Sequence, residues 1–133
     1  MKEVIVDTDT LSFYLKGFPP VVEKLEVYRA EFGYINVPII THFEILNGLL
    51  VKDATKQLAN YQAFIRANVI VNLDENSVET SAKIIAFLHK TGQPIGYLDT
   101  LIAGIAIEND LVLVTNNTNH FSRIQNLTLD NWT

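Results

Sequence analysis

The chain contains no cysteine, so it can build neither a disulfide framework nor a thiolate zinc site, and any metal must be held by oxygen or imidazole. Its three histidines are scattered, which leaves carboxylates as the better candidates. It also has little positive charge. Ten Lys and Arg against fifteen Asp and Glu give a formal charge of −5, which argues against nucleic-acid binding through a broad basic face but leaves room for a local site. Lys52, Lys56 and Arg66 share one stretch opposed only by Asp53, either a modest positive strip or an ordinary solvated helix face. No apolar run approaches the roughly 18 residues of a membrane span, and Lys2 and Glu3 lead straight into a strand rather than into the apolar segment of a signal peptide. A cytoplasmic protein with no membrane role is the expectation. Repeats, linkers and low-complexity segments are missing too.

What is present is a globular composition, 48% hydrophobic and 19% charged. The 133 residues suit a single domain, 1–133, burying about two thirds of the surface its unfolded form would expose. Five short β-like runs alternate with helix-length segments: Glu3 to Val6, Tyr34 to Val37, Val69 to Leu73, Leu111 to Val114 and, more weakly, Leu127 to Leu129. Such alternation predicts an α/β fold, a central parallel sheet of about five short strands with helices on both faces.

Helices are predicted from about Thr8 to a glycine cap at Gly17, and from Pro19-Pro20 to Phe32, since proline is tolerated in a first turn. Others follow Pro38 and span about Asp53 to Ala67 and Asp74 to Lys90, the last with Val78, Ala82, Ile85 and Leu88 as its apolar stripe. "TGQPIG" breaks the chain, and "YLDTLIAGIAIEN" is apolar nearly all round, a buried helix with the carboxylate Asp99 in its first turn.

In parallel α/β sheets, ligands gather beyond the carboxyl ends of the strands. Asp7 ends the first strand. Glu44, about six residues into the helix after the second strand, reaches the same rim, on a face with Ile40 and Gly48 that is expected to pack inward. The Asp99 helix must run antiparallel to the strand after it, so its first turn returns to that rim, as do Thr115, Asn116 and Asn117 of "VTNNTNHF". Each has a bland alternative: Asp7 as a helix cap, Asp99 as a first-turn acid favoured by the helix dipole, Glu44 as an exposed helical glutamate, and "TNNTN" as a turn. Their joint placement on one rim favours function. Three carboxylates without a counter-charge would raise one another's pKa, and a hard divalent cation, Mg²⁺ or Mn²⁺, removes that cost. Phosphodiester hydrolysis is the chemistry that follows. Asp9 is expected to turn away from Asp7 once the helix has begun, leaving it a supporting first-turn acid.

The order "VDTDTL", "THFEILNG", "GQPIGYLDTLIAGIAIENDLVLVTNNTNHF" resembles the PIN-domain endoribonucleases, in particular VapC-type toxins of bacterial toxin-antitoxin pairs, nearly end to end. The last segment, through "RIQNLTLDNW", resembles the VapC group that cleaves initiator transfer RNA. The resemblance implies a PIN-like fold, Mg²⁺- or Mn²⁺-dependent cleavage of RNA, a homodimer held by apolar helix faces between Pro19 and Phe64, and neutralisation by a small VapB-type antitoxin. It places Asp7, Glu44 and Asp99 at the principal acidic positions, with Asn117 at a fourth often held by aspartate and Thr115 as a hydroxyl donor to a carboxylate or water. His120 stands where related toxins often carry an acid, and beside Phe121 it reads as a hydrogen-bonded structural residue.

The rival readings are a non-catalytic PIN-like interaction module and a haloacid-dehalogenase-like phosphatase, whose first motif DxDx[TV] is met only in part because Leu11 fills the fifth position. A dinucleotide-binding domain is disfavoured because no GxGxxG follows the first strand.

Overall fold

The computed structural model describes residues 2–133. Five strands, β1 (Val4–Val6), β2 (Asn36–Pro38), β3 (Val69–Val71), β4 (Val112–Val114) and β5 (Leu129–Asp130), form one sheet in the order β3-β2-β1-β4-β5. All four pairings are parallel. Each strand is shorter than its β-like run, and β2 and β5 lie slightly later in the chain than predicted. Seven helices connect and flank the strands: α1 (Thr8–Leu15), α2 (Pro19–Phe32), α3 (Ile39–Val51), α4 (Thr55–Arg66), α5 (Glu75–Lys90), α6 (Tyr97–Glu108) and the single-turn α7 (Thr118–Phe121).

Strand alternation separates two cores. Val4 and Val6 face α1, α2, α3 and α4 through Leu11, Leu25, Tyr28, Ile45 and Tyr61, whereas Ile5 faces α6 and α7 through Ile102, Ile105 and Phe121. The sheet is therefore covered on both faces, as the alternation of elements requires.

The α5 stripe differs from its sequence reading. Ser77, Ser81 and Leu88 are buried, while Val78 and Ala82 are exposed. The cause lies in α6, because a Cβ at Gly104 would stand 2.0 Å from Ser81 Oγ and 2.7 Å from the Ser77 carbonyl oxygen. The two helices touch backbone to backbone at that crossing, so small residues occupy the contact face. The Ser81 hydroxyl donates to the Thr100 carbonyl at 2.9 Å and pins the crossing beside the turn that carries Asp99.

Strand order sets the location of the site. The chain moves outward from β1 to β2 and β3, then returns through α5 and α6 to place β4 on the other side of β1. The order reverses at β1, and the crevice beyond its carboxyl end is where such a sheet offers space for a ligand.

Candidate active site

Asp7 follows β1 in extended conformation and is the N-cap of α1, its Oδ1 accepting the Thr10 amide at 2.9 Å. It is one of the few buried ionisable groups, 5% exposed. Burial pushes its carboxyl up to about 6, against the lowering influence of the Thr115 hydroxyl and the Thr10 amide, and the nearby Asp9 adds to the rise. Thr115, fully buried at the end of β4, also accepts the Asn117 amide at 2.9 Å and so ties the loop after β4 to the site.

Glu44 is held by a hydroxyl relay absent from the sequence reading. The Thr8 hydroxyl donates to Glu44 Oε1 at 2.7 Å and lies 3.0 Å from Thr41 Oγ1. With only one proton to donate, Thr8 must accept from Thr41. Thr41 and Glu44 stand one helical turn apart, and that spacing was the only sequence signal. The expectation that Ile40 and Gly48, on the face of Glu44, pack inward holds for Ile40, which lies against the core, and is corrected for Gly48, which is exposed and lines with Glu44 an open groove between α1, α3 and α4.

Asp99 occupies the first turn of α6, with Oδ2 3.2 Å from His120 Nε2. Partial burial raises its pKa, His120 opposes the rise and Asp9 adds to it. His120 also meets Phe121 edge to face.

Asp7, Thr8, Asp9, Glu44, Asp99, Asn117 and Phe121 line one cleft of about 170 Å³. The three principal acids and Asn117 thus share one rim, as read from the sequence. Asp9 is the correction, for it faces this cleft. As the cap, Asp7 folds its side chain back over the helix end toward the Thr10 amide, so a radial angle along α1 does not separate the two carboxylates. Of the proposed positive strip, only Lys52 approaches the site, lining the groove beside Glu44. A larger hollow of about 600 Å³ opens at the other end of the sheet beside Val4 and Val112, the first residues of β1 and β4, but includes no buried carboxylate.

The donors in the cleft are oxygens, a set suited to a hard divalent cation. Among the described residues no group of three or more histidine, aspartate or glutamate side chains is arranged so that it could hold a metal ion. Oxygen donors on one cleft can serve a cation that takes one or two protein carboxylates and completes its shell with water and substrate phosphate.

A family model for the PIN domain matches residues 4–127, the whole span from β1 to the approach to β5. The chain belongs to the PIN-domain family. Among its relatives are the tRNA(fMet)-specific endonucleases VapC of Shigella flexneri and of Salmonella typhimurium, 28% and 29% identical over 133 residues, each alignment covering 99% of both proteins. The solved structure of DNA-bound VapBC from Salmonella typhimurium matches this PIN domain with a TM-score of 0.88 at 28% identity, covering 100% of both chains. Among the described residues of this PIN domain, no helix is long and apolar enough to cross a membrane.

Proposed function

We propose that this PIN domain is a divalent-metal-dependent endoribonuclease, the toxin of a VapBC-type toxin-antitoxin pair, acting in the cytoplasm on RNA that includes a transfer RNA. The observation that carries this reading is the cleft at the β1 switch point, where Asp7, Asp9, Glu44 and Asp99 meet without a lysine or arginine among them. End-to-end similarity to endonucleases named for tRNA(fMet) supports the substrate class.

One or two of the carboxylates of Asp7, Glu44 and Asp99 would hold Mg²⁺ or Mn²⁺, which would supply a Lewis acid for the scissile phosphate and its attacking water. Thr115 orients the Asp7 carboxylate, the Thr41–Thr8 relay orients Glu44, and His120 steadies Asp99. Asn117 at the fourth position contributes a polar side chain without charge. A VapB-type antitoxin would silence the enzyme by covering this cleft. Exposed Val27 of α2 and Phe43, Leu50 and Val51 of α3 support pairing of two copies through the helices between Pro19 and Phe64.

The test is incubation of purified protein with total RNA in Mn²⁺ or in chelator, with mapping of new 5′ ends. Discrete metal-dependent cleavage that disappears in Asp7→Asn and Asp99→Asn is expected. Intact RNA in every lane refutes the nuclease reading and leaves a non-catalytic module.

A further inference from the structure

The charge of the chain is unevenly distributed. All 15 of its carboxylate side chains lie outside two stretches, Thr80 to Leu98 and Leu111 to Leu129, which carry Lys83, Lys90 and Arg123. These stretches are distant in sequence but meet in space. Arg123 Nη1 donates to the Pro94 carbonyl at 3.3 Å, and Lys83 and Phe87 of α5 line one groove of about 160 Å³ with Arg123 and Asn126. A second hollow, sharing Leu88 with the first, runs past His89 to Tyr97. Lys83, Phe87 and Lys90 stand at i, i+4 and i+7, on one face of α5. Phe87 is 50% exposed and Tyr97 73%.

This face reaches the acidic cleft from the Asp99 side. Tyr97 precedes Asp99 by two residues on α6, and His120 of the acid-free stretch contacts Asp99. Phe121 lines the cleft, and the Cα of Arg123, two residues on, lies within about 7 Å of its own. Three cations with one carboxylate at the edge of the face, Glu79 a turn before Lys83 on α5, interleaved with exposed aromatic rings, suit a single-stranded nucleic acid: phosphates pair with the cations and bases stack on the rings. The opposite rim is less suited, because Lys16 and Lys52 share their groove with Glu44, and Asp53 adjoins Lys52.

We infer that the α5–α7 face, with Lys83, Lys90 and Arg123 contacting phosphates and Tyr97 offering a stacking surface, is the track that holds the RNA strand leading into the cleft. This rests on the nuclease reading for its substrate, but its test does not depend on cleavage. Fluorescein-labelled single-stranded RNA is titrated with full-length protein in chelator across a range of salt, followed by anisotropy. Loss of two phosphate contacts in Lys83→Gln/Lys90→Gln should make the log–log salt dependence shallower by about 1.4. Tyr97→Ala should weaken binding roughly tenfold while Tyr97→Phe preserves it, and Lys16→Gln/Lys52→Gln should leave the slope unchanged.

An unchanged slope in Lys83→Gln/Lys90→Gln overturns the inference, as does a loss confined to Lys16→Gln/Lys52→Gln. It is equally overturned if Lys83→Gln/Lys90→Gln keeps its RNA affinity and loses only the affinity for an acidic protein partner, which would make the face a protein-docking surface. Parent protein that binds RNA in this way yet fails to cut it in Mn²⁺ refutes the nuclease reading and leaves the track standing. Cleavage by the parent with an unaltered slope in the lysine variant does the reverse.

Discussion

Replacing Asp7 with asparagine should make the metal-free protein more stable while abolishing cleavage. Burial raises the Asp7 carboxyl from 3.8 to about 6, so the folded state holds that proton more tightly than the unfolded chain does. The stabilisation this confers is fully present below about pH 3.8 and is lost as pH rises through about 6. Two pKa units correspond to ~3 kcal/mol, the approximate cost at pH 7 of keeping an ionised Asp7 in its buried position. Asparagine removes the charge and can still cap α1 by accepting the Thr10 amide. Its new amide needs an acceptor, and the buried Thr10 Oγ1, which lies against the Asp7 carboxylate, is at hand. An imperfect bond there would consume roughly 1–2 kcal/mol of the gain. The net expectation for Asp7→Asn at pH 7 is a gain of about 1–2 kcal/mol, or roughly 3–10 °C in Tm for a domain of this size. Scanning calorimetry in chelator at pH 4, 5, 6 and 7 measures it, and the gap between the two proteins should close toward pH 4. A variant no more stable than the parent at pH 7, or a gap unaltered between pH 7 and 4, would refute the claim that a stored charge strains this site. Added Mn²⁺ should then raise the Tm of the parent and leave that of the variant unmoved, because binding stabilises only a fold that holds the ion.

Gly104→Ala should destabilise the fold by about 1–3 kcal/mol, since the new methyl meets the Ser77 carbonyl as well as Ser81 Oγ; a urea midpoint equal to that of the parent would show that α5 and α6 do not cross so closely. Thr8→Val removes the hydroxyl that holds Glu44 and should slow single-turnover cleavage roughly tenfold with unchanged circular dichroism, taking a charge-assisted hydrogen bond at about 1.5 kcal/mol. Thr8→Ser should keep the parental rate, and equal rates for all three proteins would remove Thr8 from the site. Asp9→Asn should lower the pKa of both Asp7 and Asp99, because Asp9 raises each of them. Carboxyl-carbon NMR titration without metal checks this, and titration curves matching the parent would place Asp9 outside electrostatic reach.

Much of this protein is determined by signals local in the chain. The β-branched runs, Pro19-Pro20 at the first turn of α2, Gly17 after α1 and the all-round apolar stretch of α6 each depend on neighbouring residues alone, and the elements they predict are present. Asp7, Glu44 and Asp99 were legible for the same reason: a carboxylate at a strand end or in the first turn of an apolar helix stands out against its immediate surroundings, and parallel α/β connectivity brings such positions to one rim. Tertiary structure alone decided the remainder. Only the fold shows that Asp7 bends back over the end of α1 and leaves Asp9 facing the cleft, because an N-cap side chain takes its direction from the amides it meets. The Thr41–Thr8–Glu44 relay and the His120–Asp99 contact join residues from separate elements, and no periodicity encodes such a meeting. On α5, the buried face was chosen by how closely Gly104 lets α6 approach, which outweighed the hydrophobic stripe of the helix itself. Local pattern depends on backbone geometry that every chain shares, whereas side-chain direction and helix register depend on which surfaces fill space together. The acids could therefore be named from the sequence, and only packing could say how they face one another.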